Sequence, residues 1–385
     1  MAAPTVTPVG TWQPAGDLPT PVAWYGQHDG PVLLANGDVV VAGGADAGGF
    51  SVPDTAVFDT GHGQWHAAAG VLHAPRRLHT LTRLANGKVL AVGGLNGSTG
   101  LSSAELFDPG TGRWTDAGSL VTPRWGHSAT LLADGSVLVT GGSADRPGGG
   151  VTALRSAERF DPDPEHGGWH PARAMTDART AHTAIRLESG LVLVVGGVAP
   201  VGAADDPALA FCELYDPDQD TWTTTGSLRH GRRHHRATLL SGGAVVVTGG
   251  TAPGSPGTAP FDPFSQRTVE RFDPATGTWT EKAPMPSGRA FHRAVALPDD
   301  QLLVVGGAAS DRDESGFRSA LFYDAGEDEW APLPGLRDGR WSFAALALAG
   351  GGVLVAGGVA RSGLAAADPG TTELVPTTEV FGKTA

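Results

Sequence analysis

The chain has 385 residues, a formal net charge of −13 and one cysteine, Cys212. An acidic chain without a basic stripe argues against nucleic acid as a partner, and a single cysteine excludes an intrachain disulfide, so nothing points to an oxidising compartment. Residues 1–10 lack the basic start and apolar core of a signal peptide, and no apolar run reaches the roughly 18 residues of a membrane-spanning helix. We therefore expect a cytoplasmic protein with neither nucleic-acid nor membrane partners.

An internal repeat runs along the whole chain. In its clearest copy, residues 122–169, an Arg-x-x-His motif leads into an apolar run, a tight Asp134-Gly135 turn, a second apolar run ending in a Gly-Gly doublet, an aromatic-Asp pair and a tryptophan. The doublets lie at 43–44, 93–94, 141–142, 196–197, 249–250, 306–307 and 357–358, and the matching tryptophans at 12, 65, 114, 169, 222, 279 and 330. Seven doublets and seven tryptophans indicate seven repeats, which overrides the two domains that the length alone would suggest.

Each repeat predicts four short strands, because runs rich in Val and Leu alternate with Gly, Asn, Asp and Pro. Four strands in a period of roughly 50 residues are typical of a β-propeller blade. The N-terminal segment around Trp12 matches a fourth strand without earlier strands, and the C-terminal segment Thr378–Phe381 matches a third strand without a following tryptophan. We expect these two segments to complete one blade and close the ring, since an open ring would leave an unpaired sheet edge.

The doublet after an apolar strand, the aromatic-Asp pair and the spaced tryptophan resemble the kelch family over nearly the whole chain. The resemblance implies an all-β, seven-bladed propeller of four-stranded kelch blades, as one domain spanning residues 1–385 in a stand-alone bacterial protein. Kelch propellers serve both as enzymes and as interaction domains, so the resemblance leaves function open. A copper radical site of the galactose oxidase type needs a Cys–Tyr crosslink, and Cys212, at the start of a third strand, argues against one.

The two faces of the predicted propeller differ. Tight turns such as Asn36-Gly37 and Asn86-Gly87 join first to second strands, and short connections join third to fourth strands, so one face is flat. The loops from second to third strands are long, and the linkers from fourth to first strands lie on the same side. We expect a functional site on this long-loop face.

Arginines and aromatic residues collect where the first strands begin, at the axial mouth of that face. An arginine suits a carboxylate or phosphate, and aromatic walls suit a flat or apolar body. The alternative is that the arginines brace neighbouring loops. The candidate substrate-binding residues are Trp24, Arg76, Arg124, Trp125, Arg179, Arg232, Arg289, Phe291, Arg340 and Trp341. Trp24, Tyr25, Trp341 and Phe343 are expected to meet at the seam between the last and first repeats.

The candidate catalytic residues are Tyr25, His28 and His234, which depart from the repeat. His234 is a plausible acid–base group, with a solvated surface histidine as the alternative. The five histidines of the Arg-x-x-His motifs, 79, 127, 182, 235 and 292, invite a metal, but a seven-bladed ring spaces them too widely to share one ion, which favours packing. We therefore predict no cofactor or metal, while a histidine-bound metal at the mouth stays an alternative.

Two functions follow from this pattern. The first is an enzyme acting on a small anionic or aromatic molecule at the axial mouth by non-redox isomerase, cyclase or lyase chemistry. The second is an interaction scaffold that binds a protein partner through the long loops. A deep Arg- and Trp-lined cavity would favour the enzyme, and a shallow mouth with exposed apolar side chains would favour the scaffold.

Overall fold

A computed structural model describes residues 10–24, 30–163, 165–199, 208–252, 265–310, 315–368 and 370–382. Seven four-stranded antiparallel sheets form the blades of a β-propeller, as the repeat predicts. Blades 1 to 3 consist of Val32–Leu33, Val39–Ala42, Thr55–Asp59 and Gln64–Ala67; Thr80–Arg83, Val89–Val92, Ser103–Asp108 and Arg113–Ser119; and Ser128–Leu131, Val137–Thr140, Ala157–Asp161 and Gly168–Ala172. Blades 4 to 6 consist of Thr183–Arg186, Val192–Val195, Cys212–Asp216 and Thr221–Thr224; Arg236–Leu239, Val245–Thr248, Val269–Asp273 and Thr278–Lys282; and Arg293–Leu297, Gln301–Val305, Ala320–Asp324 and Glu329–Leu333.

Blade 7 joins the two ends of the chain. Its strands are Ala344–Ala347, Val353–Ala356, Thr377–Gly382 and the N-terminal Thr11–Asp17, with Trp12 opposite Phe381. The Trp12 and Phe381 rings lie 5.2 Å apart, and the Trp12 indole N–H donates to the carbonyl of Pro334 at 2.8 Å. The predicted closure of the ring is thus confirmed.

The second strand of each blade is mostly apolar because both of its faces are covered. In Val137–Thr140 and Val245–Thr248 every residue is buried. A blade packs against a neighbour on each side, so a continuous apolar run is required where a half-exposed sheet would show alternation. The hydrophobic clusters accordingly bridge adjacent blades: one contains Leu138 of blade 3 together with Val192 and Tyr215 of blade 4.

The Gly-Gly doublet of each blade contacts the start of the following blade. Gly141 has a φ of +62°, and a Cβ there would lie 2.5 Å from the carbonyl oxygen of Arg179 and 2.8 Å from the ring of His182 in blade 4. The next amide, that of Gly142, donates to the same Arg179 carbonyl at 2.8 Å. Only glycine combines this backbone conformation with such a close approach. The doublet and the Arg-x-x-His motif of the following repeat are therefore two halves of one contact.

The long-loop face carries additional structure. Among the described residues, three two-stranded ribbons rise from it, formed by Leu95–Asn96 with Thr99–Gly100, Ser143–Asp145 with Val151–Ala153, and Val359–Ser362 with Thr372–Leu374. A single 3-10 turn, Gly363–Ala365, tops the last ribbon. Within the described ranges there is no α-helix, and no helix is long and apolar enough to cross a membrane.

Candidate functional site

The axial mouth is bounded by main chain. The residue two positions after each motif arginine has a positive φ of 51–61°, and its amide donates to the corresponding carbonyl of the preceding blade wherever the structure defines the bond. The bonds run from Gly126 to Leu78 (2.9 Å), Ala181 to Gly126 (3.1 Å), Phe291 to His234 (3.3 Å) and Ser342 to Phe291 (3.1 Å). In blade 1, which has no motif arginine, the amide of Trp24 makes the equivalent bond to Ser342 (2.7 Å). We call Leu78, Gly126, Ala181, His234, Phe291 and Ser342 the mouth belt. It surrounds the opening with polar groups that are already engaged with each other.

The six predicted arginines do not reach this opening, because each is fully buried inside its own blade. Arg124 donates through Nη1 to the carbonyl of Gly141 at 3.0 Å and through Nη2 to Glu158 Oε1 at 2.6 Å. The second oxygen of Glu158 accepts the amide of Val121 in the linker at 2.7 Å. The same pairing recurs as Arg76–Glu105, Arg179–Glu213, Arg232–Glu270 and Arg340–Glu379. This geometry favours the bracing alternative over substrate binding.

Electrostatics agree with an internal role for these pairs. Burial lowers the pKa of the Arg124 guanidinium, and the charge and hydrogen bond of Glu158 oppose that shift. The same opposition holds for Arg76, Arg179, Arg232 and Arg340. A buried ion pair of this kind makes each partner depend on the other, since removing one leaves an uncompensated charge away from water.

Blades 6 and 1 depart from the pair. In blade 6, Arg289 donates to Ser287 Oγ and Ser319 Oγ, both at 3.1 Å, and Leu321 occupies the position of the glutamate. In blade 1, Val22 occupies the arginine position, because its carbonyl accepts the amide of Gly358 as the carbonyl of Arg179 accepts that of Gly142. Ala56 occupies the glutamate position. Trp24 is fully buried in the cluster that contains Ala56, and its indole N–H points to the carbonyl of Ala42 at 3.4 Å. Trp24 thus fills the blade core instead of lining the mouth.

The motif histidines link adjacent blades. Nε2 of His127 lies 3.1 Å from Thr80 Oγ1, and Nε2 of His235 lies 2.9 Å from Thr183 Oγ1, each hydroxyl belonging to the first strand of the preceding blade. His182 contacts Ser128 at 3.0 Å in the same way, and His292 contacts Thr248 at 2.8 Å. This geometry supports the alternative that the motif histidines serve in packing rather than in binding a metal.

Burial keeps the rings of His79, His235 and His292 neutral. Desolvation, reinforced by the charge of Arg76, lowers the pKa of His79 to about 3, and desolvation with neighbouring arginines holds the pKa values of His235 and His292 well below 6.5. In the part of the chain that the structure describes, no three His, Cys, Asp or Glu side chains are grouped to hold a metal ion.

His234 is the predicted catalytic residue that the structure does place at the mouth. Its ring stacks on Phe291 with centroids 4.3 Å apart, and Phe291 in turn packs on Trp341 at 5.4 Å. Burial and the nearby Arg233 lower the pKa of His234 to about 3, so the ring is neutral at pH 7, where it can accept a hydrogen bond but is a weak base. Tyr25 and His28 lie outside the described residues.

The aromatic residues do not assemble as one wall. Trp341 and Phe291 share a buried cluster, whereas Trp24 and Phe343 belong to two other clusters. Trp125 instead lies against the blade 2 ribbon, where a Cβ on Gly100 would come within 2.9 Å of its ring. Trp24 meets the segment Trp341–Phe343 through main chain, where its amide donates to the carbonyl of Ser342. The ring contacts at the mouth run instead along the row His234, Phe291 and Trp341 across blades 5 to 7.

Sequence reasoning did not single out the exposed apolar side chains of the loops. Five large apolar residues are exposed within the described ranges, and every one lies on the long-loop face: Phe50, Val71, Val121, Val151 and Leu364. Phe50 and Leu364 stand on loops of the adjacent blades 1 and 7, with 69% and 77% of their surface accessible. In the sequence, Phe50 and Leu364 are marked only by being large apolar residues inside Gly- and Ala-rich loops.

Comparison with known proteins gives the following matches. A profile of the Kelch motif matches residues 76–120 and 232–286. Human Kelch-like protein 34 is 30% identical over 209 residues, covering 53% of this chain and 30% of the relative. Kelch-like protein terF of Aspergillus terreus is 32% identical over 122 residues, covering 30% and 25%, and Beta-scruin of Limulus polyphemus is 32% identical over 174 residues, covering 44% and 18%. The chain thus spans less than a third of the length of these relatives.

Solved structures match the fold. A fungal alcohol oxidase of the AA5 family in complex with copper superposes with a TM-score of 0.71 at 17% identity, covering 97% of this chain and 76% of that one. YjhT superposes with a TM-score of 0.58 at 17% identity, covering 78% and 94%. At this identity the likeness concerns the fold alone.

The described residues do not fit a copper radical site of the type that needs a Cys–Tyr crosslink. Cys212 is buried, which raises the pKa of its thiol to about 11, and it begins its strand at the long-loop end. Tyr215 lies near the other end of that strand, with its hydroxyl donating to Asp220 at 2.8 Å. Tyr323 makes the equivalent bond to Asp328 at 2.6 Å in blade 6. Both hydroxyls are thus engaged at turns of the flat face.

Proposed function

This chain belongs to the kelch-repeat β-propellers, and from that premise we propose that its long-loop face is a platform that binds another protein. The observation that carries the proposal is the one-sided placement of the exposed apolar side chains. Single exposed apolar residues are common on proteins. Here, among the described residues, all five large ones lie on the long-loop face, on four blades that are consecutive around the ring: 7, 1, 2 and 3.

The interior use of the charged residues supports the same conclusion. The six arginines predicted to bind a small anion are buried, and five of them are neutralised by a glutamate of their own blade. The mouth belt uses its main-chain polar groups between blades. Recognition is thereby moved outward to the loops and ribbons, where apolar tips can be buried by a partner.

Crosslinking of the purified protein in a lysate of its own cells, followed by mass spectrometry, tests the platform. We expect partner crosslinks to fall on the long-loop face and to be lost in the Phe50→Asp/Leu364→Asp variant. The matched control is Gln219→Asp/Ala275→Asp, which alters exposed turns of the flat face and should leave the crosslinks intact. Crosslinks concentrated on the flat face, or unchanged by the first variant, would contradict the proposal.

A second candidate is the enzyme acting on a small anionic or aromatic molecule by isomerase, cyclase or lyase chemistry. The observation in its favour is His234, a neutral ring held at the mouth by stacking on Phe291. Turnover of a small molecule that is abolished by His234→Ala, while the Phe50→Asp/Leu364→Asp variant keeps full activity, would favour the enzyme over the platform.

A further inference from the structure

The fourth strand of every blade is the outer edge of its sheet. Such an edge presents N–H and C=O groups that can pair with another strand, and proteins commonly blunt edges with proline and charge. The position two residues after the blade tryptophan shows how each edge is treated. From blade 1 to blade 7 it holds Ala67, Asp116, Pro171, Thr224, Glu281, Pro332 and Pro14.

The hydrogen-bond register shows why this position matters. In blade 4 the amide of Thr225 donates inward to the carbonyl of Cys212 at 3.4 Å. Because antiparallel ladders alternate, the main-chain groups of Thr223 and Thr221 also point inward, and those of Trp222 and Thr224 point outward. A proline at the Thr224 position removes an outward donor without breaking the blade. Blades 3, 6 and 7 use proline in this way, and blades 2 and 5 place a carboxylate there.

Blade 4 has neither protection. Its edge, Thr221–Thr224, reads Thr-Trp-Thr-Thr, with Thr223 and Thr224 exposed. Threonine and tryptophan favour strands, and no residue of the segment is charged. The edge of blade 1, Gln64–Ala67, also lacks proline and a carboxylate, but alanine is a weaker strand former. Blade 4 therefore presents the edge best suited to strand addition.

We infer that Thr221–Thr224 pairs with the same strand of a second copy of this chain, antiparallel about a two-fold axis. With the outward groups of Trp222 and Thr224 paired, Trp222 lies opposite Thr224 of the second copy and Thr223 lies opposite its own counterpart. Four main-chain hydrogen bonds then join two blades into one eight-stranded sheet. Threonine pairs across strands add to the stability of such a sheet.

Charge complementarity selects a second copy as the occupant. The two-fold axis at Thr223 sets the flat-face end of one edge, with the turn 217–220 and its exposed Asp218, against the long-loop end of the other copy, where the linker after the strand carries Arg229. The Arg229 side chain is 71% exposed, and within the described ranges its only salt-bridge partner is Glu281. Two such contacts flank a neutral strand on a chain whose net charge of −13 would otherwise keep copies apart.

Sedimentation velocity over a range of concentrations tests the inference with the full chain of 39.3 kDa. We expect the wild-type protein to form a dimer, and Thr224→Pro to raise the dissociation constant roughly tenfold or more, because proline removes two of the four bonds. The matched control is Ala67→Pro, the same change at the same position of blade 1, which should dimerise like the wild type. Circular dichroism confirms that both variants keep the fold, as the natural prolines of blades 3, 6 and 7 lead us to expect.

A single monomeric species at every concentration would overturn the inference. So would a dimer that Thr224→Pro leaves intact, a dimer that Ala67→Pro disrupts equally, or a different protein found paired to this edge. Should Thr224→Pro fail to fold, Thr224→Lys keeps the amide and places a charge at the pairing. Unchanged dimerisation of that variant would also overturn the inference.

Discussion

Blades 3 and 1 fill the same interior space in two ways. Blade 3 uses Arg124 with Glu158, a buried ion pair that also holds the linker amide of Val121. Blade 1 has Val22 and Ala56 at the same two positions, and the ring of Trp24, two residues after Val22, packs in the same apolar cluster. The exchange shows that the arginine position is a packing position of the blade. A ring of substrate-binding arginines would not leave one blade with an apolar residue buried at this position.

Blade 6 lies between these two solutions. Arg289 keeps its bond to the doublet carbonyl of Gly306 at 3.0 Å and takes Ser287 and Ser319 as further acceptors, while Leu321 replaces the acid. The contact with the doublet is therefore the constant part of the arginine's role, and the glutamate is the part that varies. Exchanging these side chains tests what each blade requires at the two positions.

The largest effect is expected from Glu158→Ala. The change leaves the buried charge of Arg124 without its carboxylate and deprives the amide of Val121 of its acceptor. We expect the free energy of unfolding to fall by about 3–5 kcal/mol. Urea unfolding measures it, and Glu281→Ala, which removes an exposed acid, is the control with a far smaller expected loss. Equal losses in the two variants would refute the distinction.

Transplanting the ion pair into blade 1 tests whether its two positions are equivalent to those of Arg124 and Glu158. Val22→Arg alone buries a charge beside Ala56 and removes apolar packing, so it should destabilise the fold strongly. Adding Ala56→Glu supplies the missing partner, and we expect it to return about 2 kcal/mol, within the usual coupling between neighbouring residues. Urea unfolding of both variants measures the coupling. No recovery in the double variant would show that the two positions are not equivalent to Arg124 and Glu158.

The buried histidines predict a pH dependence of stability. Their folded pKa values lie below the ordinary value of 6.5, so the unfolded chain binds protons that the folded chain refuses. Stability is therefore fully present above about pH 6.5 and falls toward pH 3, by about 1.4 kcal/mol per pH unit for each histidine. His79→Phe copies the natural Phe343 of blade 7 and should reduce this slope by one histidine. Thermal unfolding between pH 4 and 8 tests it, and an unchanged slope would contradict the assignment.

A smaller effect is expected at the turns of the flat face. In blade 4, Tyr215 donates to Asp220, whose φ is +49°, whereas blade 2 has Phe107 and Gly112 at these positions. Tyr215→Phe should cost about 1 kcal/mol because one hydrogen bond is lost. Adding Asp220→Gly relieves the positive φ but removes the acceptor of the Arg173 amide, so the double variant should be about as stable as Tyr215→Phe. Calorimetry measures both variants, and a double variant less stable than Tyr215→Phe would disprove the coupling.

The fold was predictable because its signals repeat. Seven copies of the doublet and tryptophan determine the blade number, and Trp12 without a preceding strand determines the closure with Phe381. The site was less predictable because a sequence shows where an arginine begins a strand but not which way its side chain turns. One signal was available: third-strand glutamates occur in the five repeats whose arginines they neutralise and are missing from repeats 1 and 6.

The rings of the seam residues turn away from the mouth for a related physical reason. Trp24 and Phe343 were expected at the mouth because they stand near the start of first strands, yet both rings face into blade cores. The Trp24 ring lies against Gly357 and the Phe343 ring against Gly306, as the His79 ring lies against Gly43, so both aromatic residues take the buried place of a motif histidine. The apolar tips Phe50 and Leu364 carry no repeat signal, so only the structure identifies their exposure.

The central claim is that the arginines around the axis brace the blades, which moves recognition to the loops. A double-mutant cycle of Arg124→Leu and Glu158→Leu, measured by urea unfolding, tests it most directly. We predict that each single change costs about 3–5 kcal/mol and that the double variant recovers most of that loss, because the pair is replaced by apolar side chains. Full stability of Arg124→Leu, together with loss of small-molecule binding at the mouth, would contradict the account.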